Sequence, residues 1–288
     1  MKNSRIYYIS IIILSLISCN DIGSDPSLEN QFQGTYTQEI EQMKAFYNTG
    51  LDLAIEQLEI SVPVKLQSNH DLEERLLMGI LDGLNNEIFS LPSDGFNTYS
   101  FRMNELLNLT NRPNNRLKNI LLSDANIFNE SQIKMTEPFF QKLLTTENPT
   151  DAKSVANLFE REIIESSLNY GEKVSLLSLS SGAIVVSDFI LNDGIEKIRD
   201  KIKDSIDNEN QVAGCSVNMR NVWGDAVVGF AAGATAGCYA GATAGTVAFP
   251  VVGTVTGCVS AGMVSGAGGF ISGASYSIIS GLLLSCFR

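Results

Sequence analysis

The last quarter of the chain holds 62 consecutive residues, Ala226 to Phe287, without a single Asp, Glu, Lys, Arg or His. Glycines recur at every fourth position of this run, which is close to one helical turn, so they form a ridge along one side of a helix. We call these positions the glycine ridge. On the first arm they are Gly229, Gly233, Gly237, Gly241 and Gly245, and beyond Pro250 the spacing resumes at Gly253, Gly257, Ala261, Ser265, Gly269, Gly273, Ser277, Gly281 and Ser285.

Small residues four apart let two helices approach closely, which is typical of helices that pack inside a bilayer. Each glycine in a helix costs about 1 kcal/mol relative to alanine in water, whereas in lipid the backbone must hydrogen-bond to itself and the helix is enforced. The first arm, 226–249, would be about 36 Å long and could span a bilayer. We predict two antiparallel helices joined by an uncharged turn, FPVVG, with a soluble core hairpin and a disordered tail as alternatives.

The N-terminus has the pattern of an export signal. Lys2 and Arg5 precede a short apolar run, Ile6 to Ile17, that ends in Leu-Ile-Ser-Cys at Cys19. This order resembles the lipobox of bacterial lipoproteins, which implies that Cys19 is lipidated and becomes the first mature residue. We expect a signal peptide at 1–19, a polar tether at 20–34, and an exported lipoprotein of the outer membrane or cell surface, or one released from it. An ordinary cleaved signal and an apolar anchor are the alternatives.

Four cysteines remain: Cys215, Cys238, Cys258 and Cys286. An even number in an exported chain favours disulfides. Facing residues of a hairpin centred on Val251 have numbers that sum to about 502, and the pairs Cys215–Cys286 and Cys238–Cys258 sum to 501 and 496. Only a glycine-lined contact brings helices within disulfide reach. We therefore predict these two disulfides, with free buried thiols as the alternative.

Residues 35–210 form an acidic helical domain by their apolar periodicity, so the predicted fold is all-α, with the hairpin at 215–288 as a second unit. A net charge of −12 excludes a nucleic-acid partner, because phosphate binding needs a basic face. Residues 176–186 could form a strand or a buried helix, and Pro138 should kink or split its helix. The predicted helices are 37–60, 71–91, 99–109, 115–123, 130–144, 151–169 and 188–207.

Catalytic and cofactor motifs are missing from the sequence. The chain has one histidine, His70, so a His-pair metal site is excluded, and it contains no P-loop and no Gly-x-Ser-x-Gly motif. We therefore predict that the protein is not an enzyme and has no cofactor. Trp223 and Tyr239 could lie at a membrane interface.

An uncharged hairpin behind a soluble helical region resembles the membrane-inserting end of pore-forming colicins, and the glycine runs resemble glycine-zipper bacteriocins and contact-dependent toxins. The resemblance covers 215–288, and the chain departs from it in carrying a lipobox and four further cysteines. It implies a toxin that permeabilises a competitor's inner membrane. The implied partners are the lipid bilayer, a receptor, an immunity protein and a second copy of the chain.

Three other interpretations follow from the same residues. Cleavage after Gly214 could free the tail. The chain could be a structural envelope lipoprotein whose hairpin packs in a membrane or self-associates, or a soluble binding module in which the hairpin stays buried.

Overall fold

The computed structural model describes residues 36–61, 79, 82–83, 86, 128–205, 216–244, 246–249, 253–256 and 258–286. In these ranges the fold is all-α, apart from one short antiparallel pair of strands. The elements in chain order are α1 (Thr37–Ser61), α2 (Glu130–Thr145), α3 (Pro149–Glu165), α4 (Tyr170–Leu191), α5 (Gly194–Ser205), α6 (Met219–Ala244), β1 (Thr246–Phe249), β2 (Gly253–Thr256) and α7 (Cys258–Cys286).

Asparagine caps set the starts of three helices. Asn129 and Asn169 each form a capping box, with Gln132 and Glu172 respectively, so the free N–H groups of the first turn of α2 and α4 are satisfied by local side chains. Asn148 caps α3 by accepting a hydrogen bond from the amide of Asp151, and a proline occupies the first helical position, where its missing N–H does no harm.

Most predicted helices within the described ranges are confirmed. The helices predicted at 37–60, 130–144 and 151–169 correspond to α1, α2 and α3, and residues 176–186 lie in a buried helix, α4, rather than a strand. The helices predicted at 71–91, 99–109 and 115–123 lie outside the described residues, apart from four isolated positions. Cys19, His70 and the tether at 20–34 also lie outside them.

Two predictions in this region need correction. Of the two outcomes predicted for Pro138, the split does not occur, because α2 runs unbroken from Glu130 to Thr145, and the kink stays a prediction. The single helix predicted at 188–207 is two helices, since α4 ends at Leu191 and α5 begins at Gly194. The corner holds Asp193 at φ 62°, a left-handed conformation that Asp tolerates better than most residues and that no α-helix continues through.

The uncharged tail forms the predicted antiparallel hairpin, but its arms are not helical throughout. The helix predicted at 226–249 begins earlier, at Met219, and stops at Ala244, where β1 starts. The second arm is helical only from Cys258. The residues between are rich in Thr and Val and flank Pro250, which favours extended backbone over helix. Strand partners such as Thr246 and Thr256 have numbers that sum to 502, as expected for a turn centred on Val251.

One hydrophobic core joins all seven described helices. Its largest fully buried side chains come from α1 (Tyr47 and Met43), α6 (Trp223 and Phe230) and α7 (Phe270). The Trp223 side chain is fully buried among the helices of this fold, and a membrane-interface position for Trp223 and Tyr239 stays a prediction. The division into domains at 35–210 and 215–288 stays a prediction, and the described parts of both contribute to this single core.

Candidate membrane-active hairpin

The two arms of the hairpin touch backbone to backbone along the glycine ridge. A methyl group added at Gly229 would lie 2.7 Å from the carbonyl carbon of Gly269 and closer still to its oxygen. One added at Gly273 would lie 2.5 Å from the carbonyl carbon of Asp225. Contacts this short exist only because Gly229 and Gly273 carry no Cβ, so the ridge seals α6 against α7.

The remaining ridge positions extend this contact in both directions. Gly233 faces Gly269, since a methyl group on Gly269 would lie 3.3 Å from the Gly233 Cα, and Gly281 lies near Val217 at the open end. Gly237 is buried in α6. Gly266, which was not among the predicted site residues, packs against the side chains of Phe230 and Ala234.

At the far end of the hairpin, no contact between the two helices is described for the predicted site residues. Gly241 lies in α6, and Gly253 pairs with Phe249 between the strands, whereas Gly245 and Gly257 lie outside the described residues. The predicted disulfides also lie outside them: Cys215 is not in a described range, and only the backbone is described for Cys238, Cys258 and Cys286.

Polar contacts hold the open end of the hairpin. The Ser285 hydroxyl donates to the carbonyl of Ser216 at 3.2 Å, which ties the end of α7 to the residues before α6. In the first turn of α6, Arg220 forms an ion pair with Glu147, which lies between α2 and α3. Both partners of this pair are more than half exposed, so solvent screens it and its contribution to stability is small.

Four of the described helices pack on the hairpin, and we call these helices, α1, α2, α4 and α5, the sheath. Helix α6 packs on α2, and the Phe230 ring stacks on the ring of Phe128 with centroids 6.1 Å apart. Helix α7 packs on α1, α4 and α5, and from Ser265 to Leu283 most of its side chains are buried. A helix that is apolar on all sides must be enclosed by protein or lipid, and here protein encloses it.

Tyr47 joins the sheath to the hairpin. Its ring is fully buried and meets the ring of Phe270 on α7 edge to face, with centroids 6.0 Å apart. The ring also fills a notch at Gly182 on α4, where an added methyl group would lie 2.8 Å from two ring carbons. The Tyr47 hydroxyl hydrogen-bonds the Ser178 hydroxyl at 3.2 Å, and burial raises the pKa of the phenol above its ordinary value. Tyr47 therefore stays neutral and links α1, α4 and α7.

The second unusual element is α4. Among the described residues it is the helix long and apolar enough to cross a membrane, although a core helix of a soluble protein meets the same criteria, and most of this helix is buried in the fold. It carries five buried serines within its apolar sequence, Ser175, Ser178, Ser180, Ser181 and Ser187.

Few charged side chains lie in the interior of the described helices. The Glu160 carboxyl on α3 is half-buried, and one of its oxygens has no hydrogen-bond partner among the residues that the structure describes. Burial raises the pKa of Glu160, with a smaller rise from Glu41 and an opposing effect of Lys44, both on α1. No group of three His, Cys, Asp or Glu side chains that could hold a metal ion occurs within the described ranges.

The sequence identified the ridge but not its surroundings. The Tyr47–Gly182 contact joins residues 135 positions apart and has no local signal. The apolar character of α4 was visible, but a run of Ser, Leu and Val fits a strand as well as a helix. Comparison of the chain with protein-family models, with curated proteins and with solved structures finds no match.

Proposed function

We propose that the protein is a bacteriocin-like antibacterial toxin that stores its glycine-ridged hairpin inside a helical sheath and inserts it into a competitor's inner membrane. The hairpin would permeabilise that membrane and dissipate its gradients. Lipidation at Cys19 would hold the chain at the producer's surface before delivery, and a receptor and an immunity protein are the expected protein partners.

One observation carries the proposal: the uncharged run continues through the turn. A buried ridge explains why 229–237 and 265–283 lack charge, but it does not explain the turn between Gly245 and Gly257, where a soluble hairpin normally carries polar or charged residues. A turn that must cross a bilayer has to be uncharged, because each charge at the bilayer centre costs about 2.5–3.5 kcal/mol by insertion scales.

The internal construction of the hairpin also supports the proposal. Its two arms seal each other through backbone contacts at Gly229, Gly269 and Gly273, and this seal needs no residue of the sheath. Its helical backbone groups are hydrogen-bonded within the hairpin, as lipid requires. The hairpin can therefore leave the sheath as a unit, and the sheath contacts that it would lose are side-chain contacts around Tyr47 and Phe128.

The structural envelope lipoprotein is the second candidate. It shares the lipidated anchor and the membrane-seeking hairpin, but it inserts the hairpin into a membrane of its own cell and does not make that membrane leak. Leakage distinguishes the two candidates, because the toxin must permeabilise a bilayer and the structural protein must leave it sealed.

The test uses the purified full-length chain and liposomes rich in an anionic phospholipid, loaded with a self-quenching dye. We expect dye release that increases with protein concentration. Thr254→Lys places one charge in β2 near the turn, and we expect it to slow release at least tenfold, since about 1.4 kcal/mol corresponds to a factor of ten. Thr254→Val is the matched neutral control and should release dye at the wild-type rate.

Circular dichroism and thermal unfolding of both variants must match the wild-type chain for the comparison to hold. A wild-type chain that leaves the liposomes sealed, or a Thr254→Lys variant that releases dye as fast as Thr254→Val, would contradict the proposal.

A further inference from the structure

The buried serines of α4 divide into two faces. Ser180 and Ser187 are seven residues apart and lie on one side of the helix, where each donates to a carbonyl of its own helix, that of Leu177 at 3.0 Å and that of Ala183 at 2.7 Å. The other three recur at every third position and lie within about one third of the helix circumference, on the other side. We call these three, Ser175, Ser178 and Ser181, the hydroxyl face.

The hydroxyl face depends on side chains of the sheath. Ser175 donates to the Glu172 carbonyl of its own helix at 2.8 Å and accepts a hydrogen bond from the Gln132 side-chain amide of α2 at 2.6 Å. Ser178 is hydrogen-bonded to the Tyr47 hydroxyl of α1 at 3.2 Å. The Ser181 hydroxyl is fully buried and has no hydrogen-bond partner within the described part of the chain. A buried hydroxyl without a partner is unfavourable, so the stored fold gains nothing from a serine at this position.

Helix α4 also has the dimensions of a membrane span. It is 22 residues long, which corresponds to about 33 Å of helix. Its charged residues, Glu172, Lys173 and Asp188, lie in its first and last turns, and the 14 residues between Lys173 and Asp188 carry no charge. The helix packs directly on α7.

We propose that α4 enters the bilayer together with the hairpin, and that its hydroxyl face borders a water-filled path for small inorganic ions. This inference rests on the proposed function. When α4 leaves α1 and α2, Ser178 loses Tyr47 as a partner and Ser175 loses Gln132, although Ser175 keeps its bond to the Glu172 carbonyl of its own helix. Lipid offers no partner to replace Tyr47 and Gln132 and none for Ser181, whereas water in a lumen can bond all three hydroxyls. The serines at 180 and 187 keep their intrahelical bonds and can face lipid or protein.

The path should discriminate little between cations and anions. Hydroxyls are neutral, and strong charge selectivity in channels comes from rings of charged side chains or from ordered carbonyls, neither of which the hydroxyl face supplies. Two hydroxyls on α7, Ser265 and Ser272, are also fully buried, have no hydrogen-bond partner in the described ranges and lie seven residues apart on one side of that helix. They are the expected contribution of the hairpin to the same lumen.

The experiment measures ion currents of the full-length chain in planar bilayers. Ser181→Cys places a thiol on the hydroxyl face, and Ser187→Cys places one on the opposite side of α4 as the matched control. A membrane-impermeant cationic methanethiosulfonate is added, and the response of the wild-type chain gives the baseline for its own cysteines. We expect the reagent to reduce the unit conductance of Ser181→Cys at least twofold below that baseline, and to leave Ser187→Cys at the baseline.

A second pair of variants avoids thiols. Ser181→Ala should lower the unit conductance, while Ser187→Ala should leave it unchanged. Equal effects at the two positions in a conducting protein, whether both change or neither does, would overturn the inference and leave the proposed function standing. A wild-type chain without any conductance would overturn the proposed function and this inference together.

Discussion

Substituting alanine for glycine should change stability in opposite directions at two positions of α6. Gly224 and Gly229 both lie inside this helix, five residues apart. At Gly224 the nearest atom to an added methyl group is a Leu144 side-chain carbon at 4.0 Å, so the methyl fits. At Gly229 the methyl would overlap the backbone of Gly269, which cannot rotate away as a side chain can.

The magnitudes follow from two opposing effects. Alanine is favoured over glycine in a helix by about 1 kcal/mol, and this gain applies at both positions. Ordinary contact begins near 3.4 Å and the carbonyl carbon of Gly269 would lie at 2.7 Å, so α6 and α7 must separate at their tightest point. Overpacking of this kind costs about 1–3 kcal/mol, and contact with backbone places it at or above the upper end. We expect Gly224→Ala to gain up to about 1 kcal/mol and Gly229→Ala to lose about 2 kcal/mol.

Urea unfolding followed by circular dichroism measures both changes as shifts in midpoint at constant slope. Thermal unfolding should agree, with a rise of about 2–4 °C for Gly224→Ala and a fall of about 4–8 °C for Gly229→Ala. If Gly229→Ala stabilises the chain as much as Gly224→Ala does, the two backbones are not in contact at this position. The account of the ridge as a seal between the helices would then be refuted.

Three further predictions concern Tyr47, Glu160 and the cysteines. Tyr47→Phe should lower the free energy of unfolding by about 1–2 kcal/mol, measured by urea unfolding, because it removes the bond to the buried Ser178 hydroxyl. Glu160→Gln should raise the free energy of unfolding at pH 7, because the raised pKa means that ionising Glu160 opposes folding. The protonated Glu160 carboxyl favours the folded state below the pKa that it has in the unfolded chain, and this contribution is lost as pH rises through the pKa that it has in the folded chain. Peptide mapping under non-reducing conditions should find the Cys238–Cys258 disulfide, and two free thiols at these positions would contradict it.

Controls for the Tyr47 and Glu160 predictions come from the same helices. Phe46→Leu on α1 changes a partly buried neighbour of Tyr47 without touching Ser178, so it separates loss of the hydrogen bond from general loosening of α1. Glu162→Gln removes an exposed carboxylate from α3, and the stability difference between the two glutamine variants should shrink as pH falls. If the free energy of unfolding changes with pH by the same amount in Glu160→Gln and Glu162→Gln, Glu160 is not the titrating group.

Local patterns predicted several elements because the forces that set them act between residues close in sequence. The apolar stripe of α1 predicted its bounds to within one residue, and the two capped starts at Asn129 and Asn148 coincide with polar residues ahead of predicted helices. The ends of α6 were predicted less well. β-Branched residues before Pro250 outweighed the helical spacing of Gly241 and Gly245, although the strand register agrees with the predicted centre of the turn at Val251.

The sequence by itself determined that the tail is an uncharged antiparallel hairpin whose arms meet along the glycine ridge, because a four-residue spacing and the absence of charge are properties of contiguous residues. Only the tertiary structure decided where that hairpin lies. Trp223 and Phe270 are enclosed by helices that are distant in the chain, and Tyr47 fits a notch at Gly182 that no periodicity marks. Such contacts depend on the complementary shapes of surfaces brought together by folding, which no local stretch of sequence contains.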